Sequence, residues 1–442
     1  MPLALSLAAA FFGFSVRASA QEPSDAQPPP QTGAQLQITE TDAAGLLVEQ
    51  GQIDLAKRVL AHVLETNPND LQARFLRGLI AVTEKRYDDA IEDFRFVLVA
   101  EPERERVRLE LGRAFFLAGD YENAERNFRF ARAGELPDEA KTNVDQYLAA
   151  IAHLKEWSYN VGAALAQDTN VNGATSVHQV DLYGLPFTLS DNARQKSGAG
   201  VAIDVGGEWS PLLFDDTKAK LGGQIHRAEY SGSRFDDMTI SGYAGPEFLL
   251  TRWQIDTLMT GFRRWYGNTP YSDGIGGRTA ARFALYPDLQ IGAAVDIQAI
   301  TYRNVAEQNG TLYSGNADAT YTISPSSLVR VSGGIAAQTA KVSALAYTTQ
   351  WIAFDYYRDL PFGFSALIEP ALAWTRYNDP LGAFGIARDD QLWAARLDVL
   401  NRRIEYRGFA PRLSFIYTKE TSSIVLYRFS RFQVQVGLTR QF

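Results

Sequence analysis

The feature that most limits this fold is an alternation of apolar and polar residues running from Trp157 to the C-terminus. The last stretch is the clearest. Phe432, Val434, Val436, Leu438 and Phe442 share one face of an extended chain, with Arg440 the exception near the end. Arg431, Gln433, Gln435, Gly437, Thr439 and Gln441 occupy the other face. Ile291, Val295 and Ile297 repeat the pattern against Gln290, Asp296 and Gln298. Leu413, Phe415 and Tyr417 repeat it against Arg412, Ser414 and Thr418. Side chains of a strand point alternately to opposite faces, so a period of two means strands. A soluble sandwich alternates too, so one strand decides nothing.

The turns decide more. Proline-bearing turns begin at residues 210, 286, 324 and 360, so the intervals are 76, 38 and 36 residues. A unit of about 38 residues, two strands and a loop, fits all three if a non-proline turn at Leu250 to Arg252 fills the gap. Longer polar connections lie between, at 170–197, 230–237, 266–274, 303–310, 340–346, 377–390 and 419–427. Short turns alternating with long loops are the asymmetry of an outer-membrane barrel. Seven long loops and six short turns predict about fourteen antiparallel strands over 157–442. An even count puts both barrel ends on the short-turn, periplasmic side. A C-terminal Phe442 suits a signal for the barrel-assembly machinery. Beyond the first twenty residues no apolar run nears the roughly 18 residues a membrane helix needs. Any crossing is therefore made by strands.

The N-terminal part differs. Leu3 to Val16 is almost wholly apolar and Ala18-Ser19-Ala20 is a small-x-small pattern, so residues 1–20 are expected to be a signal peptide. It lacks the usual basic start. Residues 21–37, with Pro28-Pro29-Pro30, read as a flexible linker. Residues 38–155 carry apolar residues at helical spacing and a 34-residue period. Ala56, Ala90 and Ala124 align, as do Leu60, Phe94 and Phe128, Gly78 with Gly112, and Tyr87 with Tyr121. This resembles the tetratricopeptide repeat, with about three repeats and a capping helix near 138–155. In that repeat the first helix of each pair lines a concave groove. By position the groove comprises Phe75, Leu79, Val82, Leu109, Arg113, Phe116 and Leu117. The competing reading is that several of these only pack against neighbouring helices. Exposed, they would suit an extended or helical peptide segment.

No enzyme is expected. The sequence has no HExxH, GxSxG or P-loop motif. His62, His153, His178 and His226 have no metal-ligand spacing, and no metal or cofactor is expected. The lack of cysteine removes disulfides, thiolate zinc sites and N-terminal lipidation. A net charge of -8 argues against a nucleic-acid partner. Asp168, Asn170 and Asn172 read from composition as an ordinary loop start, since such residues cap turns. Gly274-Ile275-Gly276-Gly277 reads as a loop-to-strand boundary. No helix follows it, so it is no phosphate cradle.

The order of signal peptide, short tetratricopeptide array and fourteen-stranded barrel resembles the surface lipoprotein assembly modulator family, called Slam. The stretch "WSYNVGAALAQDTNVNGAT" supports this, because Asp168, Asn170 and Asn172 look like that family's acidic-Asn-x-Asn start to the first loop. The resemblance implies an outer-membrane translocator with its helical domain in the periplasm. Its clients would be surface lipoproteins or related secreted proteins, often ones that capture iron or haem, with a periplasmic chaperone as a further partner. The alternatives are an exopolysaccharide export porin and a small-molecule channel with a docking domain.

Overall fold

The computed structural model describes residues 39–406 and 408–440. The expected signal peptide, the linker and Phe442 lie outside these residues. Seven helices come first among the described residues: α1 (Glu40–Glu49), α2 (Ile53–Thr66), α3 (Leu71–Thr83), α4 (Tyr87–Ala100), α5 (Glu105–Ala118), α6 (Tyr121–Arg132) and α7 (Asp138–Leu154). Their starts are written locally. Thr39 and Asp42 form a capping box on α1, and Asp70 and Asp120 accept from Ala73 N and Asn123 N at the starts of α3 and α6. Helices pack in consecutive pairs, α1 on α2, α3 on α4 and α5 on α6.

The repeated glycines explain the close crossings. A Cβ on Gly78 would sit 2.6 Å from the Phe94 ring, and one on Gly112 would sit 2.9 Å from Phe128. Phe94 and Phe128 are fully buried, so neither ring has room to retreat. Gly112→Val is expected to destabilise the helical domain by about 1–3 kcal/mol through overpacking. Circular dichroism on the full chain should show helical signal melting earlier, with the strand signal unmoved.

Fourteen barrel strands follow among the described residues, beside a three-residue strand, Leu212–Phe214, in the second connection between them. They are β1 (Trp157–Asp168), β2 (Gly198–Trp209), β3 (Thr217–Tyr230), β4 (Asp237–Leu249), β5 (Trp253–Tyr266), β6 (Thr269–Tyr286) and β7 (Leu289–Tyr302). Then come β8 (Gly310–Ser324), β9 (Ser327–Gln338), β10 (Tyr347–Asp359), β11 (Phe364–Leu381), β12 (Ile386–Asn401), β13 (Ala410–Ser422) and β14 (Phe429–Thr439). Each pairs antiparallel with its neighbours in sequence. β1 pairs with both β2 and β14, which closes the ring. A small hairpin, Gln179–Leu182 with Leu185–Thr188, stands within the first long loop. Closure pairs β1 with β14 from Gly162 to Asp168 and so removes the free sheet edge over that length, the condition for strands in lipid. No helix among the described residues is long and apolar enough to cross a membrane.

Two loops are much shorter than expected, and the 419–427 connection shifts to 423–428. The 266–274 connection is only Gly267-Asn268, both with positive φ (57° and 60°), the signature of a primed hairpin turn. The 377–390 connection shrinks to 382–385, because β11 and β12 run on as a paired ladder. Polar composition suggested loops there. Pairing satisfies the backbone of a polar ribbon equally well, so the strands extend past the apolar zone. For the same reason Gly274 to Gly277 lies inside β6, paired on both sides, and is no loop boundary.

The wall has two chemistries. Leu165, Val201, Ile225, Val295, Ile335 and Val436 are exposed on the outside, as a lipid-facing surface requires. Trp157 stacks on Trp209 at 5.8 Å and Trp253 meets Phe283 at 4.5 Å, aromatic pairs at the short-turn ends. The inside carries ion pairs: Lys220 with Glu247 at 2.9 Å, Arg278 with Asp296 at 3.0 Å, and Arg396 with Asp398 at 2.9 Å.

Candidate functional site: a helical domain docked on the barrel mouth

The helical domain is held to the short-turn side of the barrel by a buried polar cluster. Asp359 ends β10. Its carboxylate accepts from Arg108 Nη2 of α5 at 2.6 Å and from Ser365 Oγ of β11 at 2.7 Å. The Tyr357 hydroxyl also donates to it. That hydroxyl in turn accepts from Arg126 of α6, and from Arg402 Nη2 at 3.0 Å in the turn between β12 and β13. Arg126 lies 3.7 Å from Asp359 as well. Three guanidinium groups thus converge on one carboxylate and one phenol. The Phe130 ring of α6 sits under Arg108 at 5.0 Å and Arg126 at 5.5 Å, and leans on Tyr357 at 6.0 Å.

This crowding has an electrostatic consequence. Burial pushes Arg402 down to about 10, and Arg126 adds to the effect, while Tyr357 and Asp359 oppose it. The group stays charged at neutral pH. Around the cluster, Arg95 of α4 pairs with Glu405 at 2.9 Å, and Ser326 Oγ donates to Glu103 at 2.5 Å. Arg129 of α6 faces the Gln290 side-chain amide on the inner wall, whose oxygen accepts from it at 3.2 Å once the amide is turned toward the guanidinium. A second tether lies where the helices lead into β1. Lys218 Nζ donates to the Lys155 carbonyl at 2.8 Å, and Lys155 pairs with Glu125 at 3.4 Å. Burial alone would raise the Glu125 carboxyl, but Arg129 and Lys155 outweigh it and hold the group below its usual range.

The expected groove residues divide. Leu117 is 41% exposed, and Arg113 is exposed and pairs with Glu110 at 3.5 Å. Phe75, Leu79, Leu109 and Phe116 are half-buried and pack against the core. Phe75 lies 5.8 Å from Phe94, and Phe116 sits edge-on to Tyr121 and Tyr147. Val82 is 5% exposed, so it belongs to the core and presents nothing to a partner. Its place in the repeat suggested a lining position, but α3 turns it inward. The side chains that grip the barrel, on α4, α5 and α6, are different ones from those of the groove.

The Asp168 motif is more than a loop start. Asp168 and Asn170 are fully buried. Asp168 Oδ2 accepts from Arg431 Nε at 2.9 Å and Nη2 at 2.5 Å, from Gln433 at 2.9 Å and from Tyr230 at 3.1 Å. Asn170 donates to the carbonyls of Ala174 at 2.9 Å and Ser430 at 3.0 Å. Asn172 donates to Arg194 O at 2.7 Å and accepts from Lys196 N at 3.0 Å. The three side chains fold the first loop down onto the junction where β1 meets β14. Composition could not show this, because the partners lie up to 265 residues away.

Asp359, Tyr357, Arg108, Arg126 and Arg402 were not legible as a site. They come from four separate elements, β10, α5, α6 and the β12–β13 turn, and form no short motif. Among the described residues no group of three or more His, Asp or Glu side chains is placed to hold a metal ion.

The sequence comparisons agree with this architecture. The profile of the tetratricopeptide repeat matches residues 41–95 and 85–129. The chain is 24% identical over 414 residues to a surface lipoprotein assembly modifier of Moraxella catarrhalis, covering 87% of this chain and 76% of that one. It is 23% identical over 390 residues to surface lipoprotein assembly modifier 1 of Neisseria meningitidis serogroup B, covering 86% and 78%. Among solved structures, a Pseudomonas aeruginosa FadL homologue covers 66% of this chain and 91% of its own at 9% identity, with a TM-score of 0.38. The profile named surface lipoprotein assembly modifier matches residues 157–442, the whole barrel. With helical repeats docked on the periplasmic mouth of a closed fourteen-stranded outer-membrane barrel, the chain belongs to the surface lipoprotein assembly modifier family.

Proposed function

We propose that this chain moves surface lipoproteins, or related secreted proteins, across the outer membrane, and that its helical domain receives the client or its chaperone. The observation that carries this reading is the docking geometry. The domain is anchored through Arg108, Arg126 and Arg95, and Leu117 and Arg113 remain exposed on the groove side. A docking surface is thereby held at the entrance of a barrel wide enough to have a lumen. No nucleotide motif is present in the sequence. Movement would be driven by client folding outside, by capture there, or by another machine. Clients that capture iron or haem are within this reading.

The test is co-expression with lipoproteins encoded beside this chain, scored by protease access on intact cells. A client exposed only when this protein is present supports the reading. Retention of every candidate inside, with conduction of ions or sugars by the purified protein, would shift the function to a channel or polysaccharide exporter. The groove has its own test. Phe75 and Phe116 are poor targets, since truncating half-buried core rings costs stability. Arg113→Glu with Leu117→Ser changes only exposed side chains. That pair is expected to lower surface delivery about tenfold, equivalent to about 1.4 kcal/mol, with barrel assembly unchanged on a heat-modifiability gel. Normal delivery by the pair would remove the groove from the mechanism.

A further inference from the structure

The half of the lumen away from the helical domain holds a cavity of about 440 Å³, within the size range of ligand sites. Five tyrosines stand in its walls. Tyr271 and Tyr302 meet edge to face at 5.8 Å, and Tyr347 and Tyr377 lie 5.4 Å apart. Tyr427 closes the arc, with the Arg388 guanidinium 3.6 Å above its ring and 4.9 Å from that of Tyr377. Part of the lining comes from the single helical turn Ser343–Leu345 of the β9–β10 loop, which contributes Leu345.

Two polar atoms of the wall are unmatched. Arg388 is 7% exposed and Asp390 is 5% exposed. Arg388 Nη2 bridges Asp390 at 2.6 Å and Glu420 at 2.9 Å, yet Arg388 Nε and Asp390 Oδ1 have no hydrogen-bond partner in the protein. Leaving a buried donor and a buried acceptor unpaired is costly, so the pair asks for a ligand that offers one of each. The remaining charges are nearly balanced, Arg264 facing Asp237 in the same cavity. The site therefore does not select for net charge.

We infer that this cavity is a holding station for an extended polypeptide segment on its way out. An extended residue, whose own N–H and C=O point to the same side, supplies what the wall lacks: its carbonyl accepts from Arg388 Nε and its amide donates to Asp390 Oδ1. The tyrosine rings give broad, rigid and sequence-tolerant contact to passing side chains. Absence of charge selection suits a chain of mixed composition. This inference rests on the translocation reading, and the two can fail separately.

The experiment uses the purified full chain carrying p-benzoylphenylalanine in place of Leu345, which lines the cavity, or in place of Tyr313, which is exposed on the outer wall. The probes are a biotinylated unfolded peptide of mixed composition and biotinylated maltohexaose. Light is expected to capture the peptide from position 345 and not from 313. Capture should fall about tenfold in Tyr347→Ser with Tyr377→Ser, and similarly in the gentler Asp390→Asn, which keeps the side-chain shape and guards against misfolding. Capture of the sugar alone, capture of neither probe, or undiminished capture in both variants would overturn the inference. Peptide capture without client delivery in cells would keep the station and sink the translocation reading. Client delivery unaffected by both variants would sink the station and keep that reading.

Discussion

Asp359→Ala is expected to release the helical domain from the barrel. The carboxylate is the group that Arg108 and Arg126 both pair with across the interface, beside the Tyr357 hydroxyl that Arg126 also reaches. Side-chain exposure is only 5% for Arg108 and 12% for Asp359. Removing one partner of a buried ion pair leaves an uncompensated charge, at a cost of about 3–5 kcal/mol. Interfaces between domains of one chain are small and polar, so a loss of this size at the centre of the cluster is expected to shift the domain toward the undocked state. Limited proteolysis of the folded protein checks it. The variant should be cut rapidly near Lys155, yielding an intact barrel that still shifts on heating. Arg108→Ala should behave alike. A digestion rate equal to that of the parent would mean the surrounding pairs, Arg95 with Glu405 and Ser326 with Glu103, suffice alone. The Glu125 tether adds a pH dependence. Its carboxyl is held below the ordinary value of 4.5, so its stabilisation is complete at neutral pH and is lost as the pH falls through its folded value.

The second large effect is expected at the barrel's closing junction. β1 pairs with β2 along its whole length, Trp157 to Asp168, but with β14 only from Gly162 to Asp168. Asp168 stands at the end of that shorter ladder and gathers Arg431, Gln433 and Tyr230 around one oxygen. Asp168→Ala would strand the Arg431 charge and the donors of Gln433, Tyr230 and the Asn170 backbone N–H, at a cost of about 3–5 kcal/mol. The expected result is a folded barrel that unfolds at a lower temperature, with the 169–197 loop newly open to protease. Asp168→Asn keeps an acceptor and should fall between. Asn170→Ala should loosen the loop while sparing the barrel, because its bonds to Ala174 and Ser430 carbonyls hold the loop down. If Asp168→Ala melts with the parent, the motif is no staple.

The large features of this fold were readable because each is periodic. A 34-residue repeat sets Gly78 against Phe94 and Gly112 against Phe128 wherever the chain goes. Alternation fixes which side of every strand meets lipid, as with Val436 outside and Arg431 within. The two misplaced loops, 266–274 and 377–390, failed for a local reason. A polar ribbon outside the membrane looks like a loop in composition, though hydrogen bonding makes it a ladder.

Residue order alone decided that this chain would be helical repeats followed by a closed, even-stranded barrel. Periodicity acts through neighbours on the chain, and those are always known. Only the tertiary structure decided that Arg108, Arg126, Tyr357, Asp359 and Arg402 would become one latch, that Asp168 would close onto Arg431, and that Val82 would turn inward. Those outcomes depend on which strand ends meet which helices after the ring has closed, and no pattern within a segment carries that information.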